Sequence, residues 1–504
     1  GDAAVAAGKA GETSLMSALG TIAFPNSGKP AAQDPFLTGV KAFYSFEFDE
    51  AGEAFRAAQA ADPGFALAYW GEAMSYNHPL WAEQDFVAAR RTLNRFAPTP
   101  EARAQKTPAG LERDLMQAVD VLYGEGDKRS RDEAYLKAMR RLLEVHPDND
   151  EVAALTALSL MATVRPGEPN LRRLLQAGAL AQSVFARNPN HPGAAHFIIH
   201  AFDDPDHAIL ALPAARAYAG IAPDAPHALH MPSHIFVQLG MWDGVVASND
   251  AAYKAAVAHA ARKNLTRGRD DFHALSWLQY GNLMLGRFDA ARENLAWARA
   301  TERDHPNARV HDGVLSMLAR YVIETGRWNE MPLDIAPVAE KAAEHGGEHA
   351  KHRDGGNVDL QFAAGLAAAR LGKADAAERA LANIAAARAQ AEKQPAGAYR
   401  AKTIAVVEHQ LAAEIAAAKG DASGAEARLK QAVALEATMD PPSGPPQPMK
   451  PSFEQYGEFL LAAGRTAEAA AQFEQAMLRT PNRTPSVRGL AQARPQAAET
   501  AVAR

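Results

Sequence analysis

The sequence predicts an all-α fold, an α–α superhelix of stacked helical hairpins. Three observations carry this expectation. One spacing of residues occurs twice: Gly39, Ala51, Phe55, Ala58 and Pro63 near one end, and Gly457, Ala469, Phe473, Ala476 and Pro481 near the other, with intervals of 12, 4, 3 and 5 in both and 418 residues between them. Alanine-rich stretches of helical period dominate the chain. Alternating strand patterns are almost absent. A chain of 504 residues has room for two to four globular domains, but a repeat overrides that count and points to roughly ten helical pairs.

The spacing has a packing reason. Small residues let the two helices of a unit approach, the aromatic fills the space between units, and the proline stops the second helix. The pattern resembles the tetratricopeptide repeat, a helix–turn–helix unit of about 34 residues. Turns between paired helices are expected at Leu239–Asp243, Leu285–Asp289, Thr325–Trp328, Leu371–Lys373 and Ala462–Arg465, and unit ends at His146–Asp150 and Asn188–Gly193. The expected organisation is an N-terminal extension over 1–33, a solenoid carrying histidines over 34–335, a Gly/His-rich loop over 336–357, further repeats over 358–439, a proline-rich connector over 440–451, a final hairpin over 452–494 and a tail over 495–504.

Composition removes several function classes. The chain has no cysteine, which excludes a disulfide framework, a Cys-type zinc finger, an iron–sulfur cluster and a thiol nucleophile. Lys+Arg of 53 against Asp+Glu of 59 gives a net charge of −6, and nucleic acid is not the expected partner because phosphate neutralisation needs a basic face. No run of about 18 apolar residues suggests a membrane span. The chain begins at Gly1 and opens on a small, polar segment. Removal of an export signal from a bacterial, periplasmic protein accounts for that start, and so does a tag remnant on a cytoplasmic one; the first is favoured. HExxH, Walker and GxSxG motifs are absent. Ser233 beside His234 makes only a weak hydrolase signal, since adjacent helical residues diverge.

The histidines carry the functional signal. Nine of 17 lie between His191 and His273, where even spreading gives about three. His196 and His200 are four apart; His227, His230 and His234 are three and four apart, so each group shares a helix face. His196 to His230 and His200 to His234 are both 34 residues, one repeat period. His227 precedes Gly240 by the interval at which His273 precedes Gly286. If those glycines are position 15 of their units, His227, His230 and His234 stand at positions 2, 5 and 9, His196 and His200 at 5 and 9 of the preceding unit, and His273 at 2 of the next. At about 100° per residue these positions point away from the partner helix, towards the concave groove.

Neutral imidazoles converging there suit a transition metal, zinc or copper rather than magnesium or calcium. His196, His200, His230 and His234 are the expected core ligands. His227 and His273 are further ligands or outer-shell groups, and Asp203 or Asp204 is a ligand or an acceptor orienting an imidazole. The plain alternative is a bare groove with hydrogen-bonding histidines. Arg320 and Tyr280, at position 9 of their own units, are further groove candidates, for an anionic group and a proton donor respectively. His78, in the aromatic segment Tyr69–Trp81, is more simply a packing residue. His345, His349 and His352 read as a solvated loop, or as a lid over the groove.

The block HPGAAHFIIHAFDDPDHAILALPAARAYAGIAPDAPHALHMPSHIFVQLGMWD (His191–Asp243), with YNHPLW upstream and FHAL downstream, resembles a family of bacterial tetratricopeptide-repeat proteins with a HALHMPSHIF-type signature. The likeness runs over much of the first 330 residues. It implies that His196, His200, His227, His230, His234 and His273 form a shared signature; an acidic residue is expected where Ser276 stands. Two functions follow as expectations. One is a metal-binding solenoid, with hydrolytic or oxidative chemistry open to it and enzymatic activity undecided. The other is a scaffold that binds peptide or small molecule in the groove without metal. A covered groove favours a small ligand and an open one a polypeptide.

Overall fold

The computed structural model describes residues 16–335, 350–394 and 397–494, apart from 166 and 169. The fold is an all-α superhelix of helical hairpins. Among the described residues there are 24 α-helices, with strand confined to Asn77–His78 paired with Glu83–Gln84 and one isolated bridge. None of these helices is long and apolar enough to cross a membrane. His345 and His349 lie outside the described residues, as do 1–15 and the tail. The expected loop over 336–357 is helical from Ala350, where the helix Ala350–Arg370 begins.

The repeat spacing works as its residue sizes imply. A side chain on Gly39 or Gly71 would sit 2.8 or 2.2 Å from the Phe55 ring, and one on Gly457 or Gly489 would sit 2.9 or 2.3 Å from Phe473. Each aromatic is therefore held between first helices of successive units, 32 residues apart at both ends of the chain. The hairpin turns share one device: the first helix ends on a residue in the left-handed region, at Gly240, Gly286, Gly326, Gly372, Gly420 and Gly464. Glycine carries no Cβ penalty there. In the first unit that place is held by Phe46, with φ +58°.

The far end of the chain returns to its middle. Arg483, buried in the final repeat, pairs with Glu324 at 2.8 Å and Glu454 at 2.9 Å. Asn482 accepts from the Trp242 indole N–H at 3.2 Å. The proline-rich connector runs across the intervening groove. Its carbonyls accept from Gln238 (Pro442, 2.9 Å), Arg320 (Pro446 and Met449, both 3.1 Å) and Gln410 (Lys450, 2.8 Å). Gly444 abuts Trp277 closely enough that a Cβ would come within 2.5 Å of the indole. The groove is thus lined on one side by the chain's own connector.

Replacing Arg483 with Ala removes the closest cation from two buried carboxylates, leaving Glu324 only Arg320 at 3.8 Å and Glu454 only Lys450 at 3.5 Å. We expect a loss of about 3–5 kcal/mol in urea denaturation, with earlier proteolysis within 440–451; a change below 1 kcal/mol would show that the return contact does not hold the two ends together.

Candidate metal centre

The six histidines meet. His196 and His200 lie on or at the end of the helix Pro192–Ala201, His227 and His230 on Pro226–His230, His234 on Pro232–Gln238, and His273 on Asp270–Met284. The segment that reads as one helix through His227 and His234 is divided at Met231–Pro232. Proline removes one ladder donor, but Met231 keeps helical φ and ψ of −54° and −36°, so the i,i+4 face survives.

The imidazoles form two groups of three, His196–His200–His227 and His230–His234–His273, each offering ring nitrogens within 4.8 Å of one another. The rings are more deeply set than a groove lining. His196 is fully buried and His230 nearly so.

Three of the rings are orientated by acceptors on Nδ1. His196 Nδ1 faces the Tyr44 carbonyl at 2.7 Å. His230 Nδ1 faces Asn249 Oδ1 at 2.7 Å, and Asn249 is itself fixed because its amide N–H donates to the Val245 carbonyl at 2.8 Å. His234 Nδ1 faces Asp203 Oδ2 at 2.7 Å, while Gln238 donates to the other Asp203 oxygen at 3.1 Å. These acceptors place the proton on Nδ1 and turn the Nε2 lone pair inward. Inside, His230 Nε2 stands 3.1 Å from His234 Nε2 and 3.0 Å from His273 Nε2, and His196 Nε2 stands 3.1 Å from His227 Nε2. His200 Nε2 is buried without a hydrogen-bond partner.

Burial also keeps the rings neutral. It pushes His196 and His230 down to about 3, with the imidazolium forms of neighbouring histidines adding to the effect. His200 is held well below its ordinary value by burial and four imidazole neighbours. Lone pairs of two neutral rings facing each other at about 3 Å repel unless a cation lies between them. Two nitrogens bound at 2.0–2.1 Å to one tetrahedral ion stand about 3.3 Å apart, close to the spacings seen here.

One turn of the first unit builds a wall of the first triad. Tyr44 supplies the carbonyl to His196, Glu47 accepts the His227 backbone N–H at 3.2 Å, and Phe46 places its ring 4.3, 5.6 and 5.6 Å from those of His196, His200 and His227. Burial, reinforced by Glu50 and Asp270, holds the Glu47 carboxyl well above the ordinary range. Trp277 flanks the second triad, 4.8, 4.5 and 5.7 Å from His230, His234 and His273. Tyr44, Phe46, Glu47, Asn249 and Trp277 were not marked by the histidine pattern. Only Phe46 carried a signal, as the large residue at position 15 where other units have glycine.

The remaining candidates fall elsewhere. Asp204 accepts from the His207 ring at 2.8 Å and from backbone N–H groups of the turn, away from the triads. Arg320 donates to connector carbonyls. Tyr280 is buried against Trp242 and accepts from Arg483 at 3.4 Å. His78 stacks on Phe48 at 4.2 Å, and burial pushes it down to about 4. His191 caps the helix that follows, accepting from the Ala194 N–H at 3.0 Å. Ser233 donates to the His230 carbonyl at 2.7 Å, so it is not held as a nucleophile on His234. Ser276 donates likewise to His273 at 2.8 Å.

No sequence profile of a known family matches the chain, and no curated protein does. Among solved structures the chain is similar to the human IFIT1 dimer with m7Gppp-AAAA (12% identity, 93% of this chain and 90% of that one, TM-score 0.37). It is also similar to the APC/C hetero-tetramer Cut9–Hcn1 (13%, 94% and 78%, TM-score 0.35) and to the P58(IPK) TPR domain (12%, 92% and 97%, TM-score 0.22). No residue role passes from them to this chain.

Two outcomes follow from this geometry. A non-glycine residue in the left-handed region costs of order 1 kcal/mol or more, so Phe46→Gly should be more stable than Phe46→Ala by about 1 kcal/mol, the reverse of the usual order; equal melting temperatures would remove the strain. Second, unfolded histidine titrates near 6.5, so the unfolded state takes up protons between that value and about 3 while folded His196 and His230 do not. Their contribution is complete above pH about 6.5 and falls below it, by about 2 kcal/mol for each at pH 5. Glu47 acts in the opposite sense, so the measurement belongs in Glu47→Gln protein without metal. Between pH 7 and pH 5 its urea stability should fall by about 2 kcal/mol less once His196 or His230 is replaced by Asn, the contributions of His200 and His78 being common to both proteins; an unchanged fall would mean the two rings are not held neutral.

Proposed function

We propose that this helical-repeat protein binds a transition metal through its histidine cluster, zinc and copper being the ions whose ligand preferences fit. The observation that carries the reading is His230: its Nδ1 proton is committed to Asn249, yet its Nε2 stands about 3 Å from two further imidazole nitrogens. An imidazole cluster with outer carboxylate, amide and carbonyl acceptors has the two-layer build of a metal site. A bound ion would supply Lewis acidity, and a lowered pKa for any water in an open position. The chain's residues fix the tautomer of His196, His230 and His234, hold His196, His200 and His230 below their ordinary range by burial and screen the cluster with Phe46 and Trp277.

The competing reading, a peptide groove without metal, has less in its favour. Part of that groove is already taken by the proline-rich connector, whose carbonyls use the donors of Gln238 and Arg320. A groove covered in this way favours a small ligand over an extended chain.

Purified without a polyhistidine tag, the protein should carry zinc or copper by elemental analysis. His230→Ala/His234→Ala should lower that content, and Asp203→Asn should weaken affinity by about 10–100-fold. Wild-type protein that stays metal-free after incubation with both ions would end this reading, and a peptide bound equally by wild type and the double variant would put the scaffold in its place.

A further inference from the structure

We propose that the two triads are halves of one dinuclear centre: an ion on His196, His200 and His227, a second on His230, His234 and His273, and a small anion such as hydroxide bridging them. This rests on the metal-binding reading and goes beyond it.

The first ground is that the two triads are one constellation repeated. Each takes positions 5 and 9 of one unit and position 2 of the next. His196 and His200 with His227 make the first; His230 and His234 with His273 make the second. The solenoid has advanced by one step between them. Each step therefore yields a three-histidine half-site, which is the ligand count of a metal with a position left open. Six imidazoles exceed what one tetrahedral ion can use, and His200, the buried ring with an unpartnered Nε2, would be left over.

The second ground is proximity. His200 and His234 have ring centroids 6.1 Å apart, and His227 and His230 6.3 Å, across the boundary between triads. Within the first triad His200 and His227 are 6.4 Å apart. The boundary is no wider than the His200–His227 spacing, the nearer rings inside a triad standing 4.4 to 5.0 Å apart, so open positions on the two ions would face one shared space. The third ground is charge. Six imidazole ligands leave two divalent ions with four positive charges, offset nearby by Asp203, whose carboxylate faces His234 at 2.7 Å. An anion between the ions lowers that repulsion most directly. Each half-site also has its own aromatic wall, Phe46 for one and Trp277 for the other, so the protein screens two places rather than one.

Chelator-stripped wild-type protein titrated with copper(II) sulfate tests this. Two equivalents per chain should bind, and the integrated electron paramagnetic resonance intensity at two equivalents should fall well below two spins, because bridged copper(II) ions couple. His200→Ala/His227→Ala and His234→Ala/His273→Ala should each bind one copper, seen at full spin. Far-UV circular dichroism checks each variant's fold, and the wild-type stoichiometry decides the matter if either fails to fold. One equivalent in wild type would overturn the dinuclear assignment while leaving metal binding standing. Two equivalents with two independent spins would overturn the bridge. No bound copper and, in a parallel titration, no bound zinc would overturn the metal reading itself.

Discussion

Three hydrogen bonds determine what the centre of this protein can be. His196, His230 and His234 each donate Nδ1–H to an acceptor that does not move easily: a main-chain carbonyl, an amide anchored to the next helix, and a carboxylate held from its other side. Each bond selects a tautomer, and each turns a basic lone pair towards the same interior. Remove them and the rings are free to swap donor and acceptor roles, pairing with one another as ordinary buried histidines do. With them in place, the Nε2 atoms of His230 and His234 confront each other with like polarity at 3.1 Å, and burial disfavours a proton on His230.

How much of this was legible in the sequence depends on the distance over which each part is determined. The hairpins were visible because their causes are local: Gly39 and Gly457 with their aromatic partners, and glycines at the turns. The six histidines were visible because a solenoid turns register into position, so equal places in successive units must stack. The acceptors were a different matter. Tyr44 contributes a carbonyl, which every residue has, and it lies 152 residues from His196. Asn249 sits on the partner helix, and asparagine is common on helices for other reasons. Choosing Asp203 over Asp204 required knowing how the chain leaves the helix after Ala201, where Asp204 turns back to cap its own turn. Position 9 marked Arg320 for an anionic group, whereas it donates to carbonyls of the connector, which returns from over 120 residues downstream.

That return shapes the site as well as closing the superhelix. A proline-rich segment has few amide donors and no helix to absorb its carbonyls. Gln238, Arg320 and Gln410 satisfy them, and two of these side chains are wired onward. Gln238 also bonds Asp203, which orientates His234; Arg320 lies 3.8 Å from Glu324, which pairs with Arg483. The connector and the second triad therefore share a polar network, and Gly444 supplies the close approach to Trp277 that a side chain would block.

The same logic explains why the array of histidine triads stops at two. In the unit led by His273, positions 5 and 9 are Ser276 and Tyr280. Ser276 satisfies its hydroxyl on the His273 carbonyl, and Tyr280 is buried towards Arg483 and Trp242. His273 thus completes the second triad and begins no third. The chain between triad members also differs: 31 residues separate His196 from His227, and 43 separate His230 from His273, the excess lying around the 22-residue helix Trp242–Lys263. Both groups nevertheless close to within 4.8 Å. Chain length between the histidines is therefore not what sets the cluster. The stacking of first helices sets it, and extra residues in the second helix and its loop are carried outside that stack, which is how a repeat can lengthen without disturbing the residues it presents.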